Sequence, residues 1–159
     1  MSGDAKFEDG GDRPLYLSAE DAEDLKVLAS LTQDAVFPIG EMTWQPRARR
    51  FALLLNRFRW EDKQAAERRN RSYERVQSVL AVDDVTAVRS QGIDRTDKDV
   101  VLSLLSVDFA PSQDGAGTLT LTLAGDGAIA LDVECINATL RDVTRPYAAP
   151  SRKAPEHDA

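Results

Sequence analysis

The chain has 159 residues, 42% of them apolar and 30% charged, with a formal net charge of −7, which suits one domain around one real core, burying roughly two-thirds of the unfolded surface. A single cysteine, Cys135, and a single histidine, His157 near the C-terminus, exclude an internal disulfide, a cysteine zinc site and the common nucleophile sets. No apolar run approaches the ~20 residues that span a bilayer, and the acidic start MSGDAKFEDGGDRP resembles neither a secretory signal nor a transit peptide, so the expectation is a cytoplasmic protein with no cofactor, no metal and no membrane contact.

Residues 1–13 lack apolar periodicity and are expected to be a disordered leader, with one domain over 14–147 and a disordered tail over 148–159. Leu15 to Leu17 reads as a short strand. In LSAEDAEDLKVLASLTQD, Ser18 suits a helix N-cap, and Leu25, Leu28, Ala29 and Thr32 share one face, so the spacing predicts a helix from Ala19 to Gln33. From there the pattern becomes β. Asp34 to Ile39 and Glu41 to Gln45 read as short strands, and Pro46 to Arg49 as a turn into a strand over Arg50–Trp60, making a hairpin. Phe51, Leu53 and Leu55 share one face of that strand, with Ala52, Leu54 and, after a bulge, Phe58 on the other. Apolar residues on both faces imply cover on both sides.

EDKQAAERRNR reads as an exposed loop. Ser72–Val82, Val85–Ser90 and Val100–Phe109 read as strands. Leu119, Leu121 and Leu123 alternate with threonines, and Gly125-Asp126-Gly127 makes a hairpin turn into Ile129, Leu131 and Val133. The phase slips at Cys135-Ile136, where a buried cysteine is expected. Ile136–Val143 fits a bulged strand or a short helix, the strand being favoured. The fold class is therefore α+β: an N-terminal helix packed on a curved antiparallel sheet or partial barrel of about seven strands.

Charge is uneven. Residues 47–75 hold ten basic and four acidic side chains, a balance of +6, in an otherwise acidic chain. Arg47, Arg49, Arg50, Arg57, Arg59, Trp60, Arg68, Arg69 and Arg71 form the candidate binding surface. The arginine fork suits phosphate and carboxylate, and Arg57 and Arg59 fall on one face of a strand, about 7 Å apart at ~3.3 Å per residue. Alternating arginines are equally the wet rim of a strand. Asp132 and Glu134 share one outer face, with Asp142 beyond; paired carboxylates can do acid–base work or bind a metal, and are equally a solvated strand face. Asn56 and Asn137, among apolar residues, suit backbone hydrogen bonding at irregularities. No phosphate-loop, dinucleotide, zinc-protease or serine-hydrolase motif is present.

LSAEDAEDLKVLASLTQDAV, RRFALLLNRFRWE, RSQGIDR, VLSLLSVDF and VECINATLRDVTRPY occur in that order and together resemble an uncharacterised alphaproteobacterial family, a domain of unknown function. The resemblance covers Leu15 to Tyr147 and implies a bacterial cytoplasmic protein. It brings no catalytic residues. The expectation is a non-catalytic interaction module that self-associates or docks on a protein partner through the arginine-bearing hairpin, Arg47 to Arg59 with Trp60. The alternatives are an RNA- or small-anion-binding domain, nucleic acid being disfavoured by the acidic balance, and an enzyme using Asp132 and Glu134.

Overall fold

A computed structural model describes residues 13–150 and 154–155. The leader expected over 1–13 lies outside the described residues apart from Arg13, as do residues 151–153 and 156–159 of the expected tail. In chain order the elements are β1 (Tyr16–Ala19), α1 (Ala22–Thr32), β2 (Val36–Pro38), β3 (Met42–Gln45), β4 (Arg50–Phe58), α2 (Lys63–Arg68), β5 (Glu74–Val82), β6 (Val85–Gln91), β7 (Val101–Pro111), β8 (Gly117–Leu123), β9 (Ala128–Val133), β10 (Ala138–Asp142) and β11 (Tyr147–Ala148). Single 3-10 turns at Ile39–Glu41 and Trp60–Asp62 complete the path.

The strands form one open sheet in the order β1-β10-β5-β4-β2-β7-β8-β9-β6, with β3 beside β4 and β11 beside β5. Every pairing is antiparallel. The α+β reading holds, but the partial barrel of about seven strands is corrected: the described residues form eleven strands and the sheet does not close. The higher count comes from short pieces: β1, β2 and β3 overlap segments read as short strands, and β11, of two residues, straddles the expected end of the domain.

One cluster of buried side chains binds the sheet into a single core. Phe51, Leu53 and Leu55 of β4 meet Leu119 and Leu121 of β8 and Ile129 and Leu131 of β9 in it, and Leu25 and Leu28 of α1 join them. Each fully buried leucine contributes about 1.5–3 kcal/mol by leaving water. The alternation read for β8 and β9 is the alternation observed, and the 125–127 turn places Gly125 and Asp126 at positive φ, as a tight hairpin requires.

The helix starts later than Ser18 implies. Ala19 is fully buried and still extended opposite Ala138 of β10, so the cap moves to Asp21, whose carboxylate accepts from Asp24 N at 2.8 Å. The predicted face is the buried one, and Thr32 Oγ1 donates to Leu28 O at 3.0 Å. Residues 63–68, read as loop, form α2 because Ala66 is fully buried and anchors a helical turn. Ala138–Asp142 is strand, as favoured, pairing with both β1 and β5. Ala148, assigned to the tail, pairs with Glu74, and Ala149 N donates to Tyr73 O at 2.8 Å.

Candidate functional site

The apolar face of β4 runs Phe51, Leu53, Leu55 and then Arg57. The register with β5 is unbroken from Phe51↔Val82 to Phe58↔Arg75, so no bulge rotates the arginine outward. Arg57 is fully buried and Arg59 is 5% exposed, which corrects the reading of both as part of an exposed surface. Ser78 of β5 is small enough to leave room beneath β4 for the guanidinium, and β10 brings in Asp142 from the far side.

Every donor of the Arg57 fork has an acceptor. Nη1 and Nη2 donate to the two Glu61 oxygens at 2.9 and 2.8 Å, Nε to Ser78 Oγ at 3.0 Å, and Nη2 also to Asp142 Oδ1 at 3.0 Å. Ser78 Oγ donates to Asp142 Oδ1 at 2.7 Å, and Leu15 N to Asp142 Oδ2 at 2.9 Å. Arg59 pairs with Glu74 and lies 3.9 Å from Asp62, which takes a two-pronged pair from Arg71 at 2.6 and 2.7 Å. Arg57, Arg59 and Arg71 thus interleave with Glu61, Asp62, Glu74 and Asp142.

Burial alone would lower the Arg57 pKa, but Glu61 and Asp142 outweigh it and hold the value above its ordinary level. Burial pushes the Asp62 carboxyl up, and the Arg71 and Arg59 guanidiniums more than reverse this, leaving it below the usual range. The ion pairs tie β4, α2 and β5 together across their connection. Losing one partner would strand a buried charge, which typically costs about 3–5 kcal/mol.

The other predicted arginines divide. Arg49 pairs with Glu134, and Arg50 grips Asp83 at 2.7 Å. Arg47, at the hairpin tip, and Arg68 and Arg69, at the end of α2, are exposed. Trp60 is half-buried; its indole N–H donates to Gln33 O at 3.0 Å and its ring meets Phe58 edge-on at 4.7 Å. The nine residues therefore do not form one surface. Asp132 accepts from Arg89 and Thr118, at 2.5 and 3.1 Å, on the outer face of β9. Cys135 is exposed, correcting the buried reading, because Ile136 takes the core position at the slip. Partial desolvation and the Asp84 carboxylate, 3.4 Å from Sγ, raise its thiol pKa. Among the described residues no cluster of three or more His, Cys, Asp or Glu side chains is placed to hold a metal, and no helix is long and apolar enough to cross a membrane.

The other face of β4 opens onto solvent. Ala52, Leu54 and Asn56 are half-buried. Leu54 and Asn56, with Val36, Pro38, Gln77 and Val101, line a groove of about 320 Å³. Past Val36 and Asn56 a second hollow of about 430 Å³ includes Phe58, Arg75 and Tyr147. Asn56 does not satisfy a bulge: its Oδ1 accepts from Arg75 Nε at 2.5 Å, and its amide donates to the Tyr147 hydroxyl. The Asn137 side chain does not bond backbone either: its amide donates to Asp84 Oδ2 at 3.0 Å, while its main-chain carbonyl accepts from Asp83 N at 2.8 Å. Burial lowers the Arg75 pKa, Tyr147 and Asp34 opposing. The cover expected on both faces of β4 is complete on the inner face, whereas on the outer face Phe58 is buried against Trp60 and Tyr73 and Ala52, Leu54 and Asn56 stay half-exposed; the apolar start of β7 is exposed as well, Val101 at 59%.

An open antiparallel sheet with two helices on an α+β plan, carrying an apolar outer groove and a buried ionic cluster, defines the class of protein. The sequence profile of a family described as "Protein of unknown function (DUF2948)" matches residues 15–157, and the chain belongs to that family. Among curated proteins and solved structures, none matches.

Proposed function

We propose that the protein is a non-catalytic interaction module of the bacterial cytoplasm, and that it docks a protein partner on the outer face of the β3–β4 hairpin and the strands beside it. The observation that carries this reading is the half-exposed outer stripe of β4, a central strand, lining an apolar groove with Val36, Pro38 and Val101. An apolar stripe on a central strand is stabilised by cover. Arg75, desolvated at one end of the groove, favours a partner presenting an acidic group beside apolar side chains. The ion-paired Arg57 and Arg59 take no part in contact.

The test is a pull-down from native lysate with the mass of the complex measured, comparing wild type with Leu54→Glu and with Arg47→Glu. The expected result is a partner held by the wild type and lost by L54E at unchanged thermal midpoint, with R47E weakening it about threefold, as a rim charge does. A complex of twice the monomer mass would make the partner a second copy. Undiminished capture by L54E would sink the groove as the contact surface.

A further inference from the structure

On the opposite side of the hairpin, a separate cavity of about 230 Å³ lies between β3–β4 and β6–β9. Its floor is apolar. Phe51 and Ile129 are core residues, and Met42, Trp44 and Val88 pack partly buried against them. Its rim carries two cations, Arg95 and Lys98, from the loop joining β6 to β7. We propose that this cavity binds a small organic carboxylate, with an aromatic or branched aliphatic body on the Trp44 floor and its anionic head between Arg95 and Lys98.

Three observations carry the assignment. The first is charge. Among the described residues neither cation has a carboxylate within salt-bridge distance, and Arg95 reaches only Ser90 Oγ, at 3.4 Å. Two of the loop's three carboxylates shape its turns instead: Asp94 accepts from Thr96 N and Oγ1 at 3.0 and 2.6 Å, and Asp97 from Asp99 N at 3.1 Å. Glu41, next to the floor in sequence, lines the outer groove and not this cavity.

The second is anchorage. The loop is fixed at both ends, so its cations are positioned before a ligand arrives. Gly92, at φ +69°, lies so close to the 125–127 turn that a Cβ there would come 2.8 Å from Asp126 O. At the other end Gly40 N donates to Lys98 O and Ile39 N to Val100 O, each at 3.0 Å. The third is shape and chemistry. An apolar floor with a few convergent polar groups at the rim is the usual build of a small-ligand site. Beside the two cations the lining side chains offer only the Ser90 hydroxyl and the Trp44 indole N–H, too few partners for the polar edges of a sugar or a nucleobase. The cavity shares no residue with the outer groove, so this inference stands apart from the docking proposal.

Trp44 reports directly on the site. In a Trp60→Phe chain it is the sole tryptophan, and its emission is followed during titration with 3-phenylpropionate, 3-phenylpropan-1-ol and acetate at pH 7. Saturable binding of the phenylpropionate is expected, with the alcohol and acetate at least about tenfold weaker, a difference that an uncompensated cation pair supplies. Calorimetry on the wild-type chain repeats the measurement without the Trp60 change. The double variant Arg95→Gln, Lys98→Gln keeps its thermal midpoint and loses about tenfold in affinity for the acid. Equal binding of acid and alcohol, an unaffected double variant, or no saturation by about 10 mM overturns the proposal. Saturation by an acidic aromatic peptide but not by the free acid does so too.

Discussion

Arg57 shows what a single side chain decides in this fold. It takes the position where the apolar stripe of β4 would end, and it is tolerated there because six oxygens surround it, two each from Glu61 and Asp142, the Ser78 hydroxyl and the Phe58 carbonyl. Asp62, beside it in space, gives the network its pH response. Its carboxyl titrates below the ordinary 3.8 because Arg71 and Arg59 outweigh its burial. The unfolded chain therefore takes up this proton at a higher pH than the folded one. The stability Asp62 contributes is complete above the unfolded value and is lost as pH falls through the native value. Urea denaturation of wild type and Asp62→Asn between pH 7 and pH 3 is expected to show the wild type more stable at neutral pH and the gap closing at the acid end. The parity 51-53-55-57 put Arg57 on the core face in plain sight. What the alternation could not supply was its partner, since Asp142 lies 85 positions along the chain.

At the scale of elements, the long and strongly alternating strands were legible with their faces, whereas the short ones were legible only as segments with shifted bounds. β8 and β9 alternate without interruption, whereas β1, β2 and β11 are too short for a period to establish itself. The helix α2 hid in a polar segment because a single buried alanine, Ala66, holds it. Gly117 marks where β8 closes on β7. A Cβ there would sit 2.6 Å from the Phe109 ring and nearer still to the Ala110 carbonyl. Its φ is not positive, so the constraint is space and not backbone conformation. Gly117→Ala is expected to destabilise the protein by about 1–3 kcal/mol, read as a lower urea midpoint at unchanged slope. Gly115→Ala, where a Cβ meets nothing within 4 Å, carries only the backbone penalty of its positive φ and is the control for a substitution without a clash.

For the molecule as a whole, the sheet is open, so its two ends differ from its middle. β4 and β5 pair on both sides and carry the core face, while β1 and β6 each pair on one side only. Amide hydrogen exchange followed by mass spectrometry is expected to show β4, β5 and β8 opening last and β1 and β6 first. Uniform protection across the sheet would contradict the open order. The sequence by itself determined the α+β class, the first helix and its buried face, and the hairpins at 46–49 and 125–127, because periodicity and turn chemistry are local quantities. Only the tertiary structure decided which carboxylates hold Arg57 and Arg59 in the interior, that Cys135 faces out, that the sheet stays open, and that Ala52, Leu54 and Asn56 of β4 stay half-exposed. Each of these depends on which distant segment arrives to pair a charge or cover a surface, and no local pattern encodes that arrival.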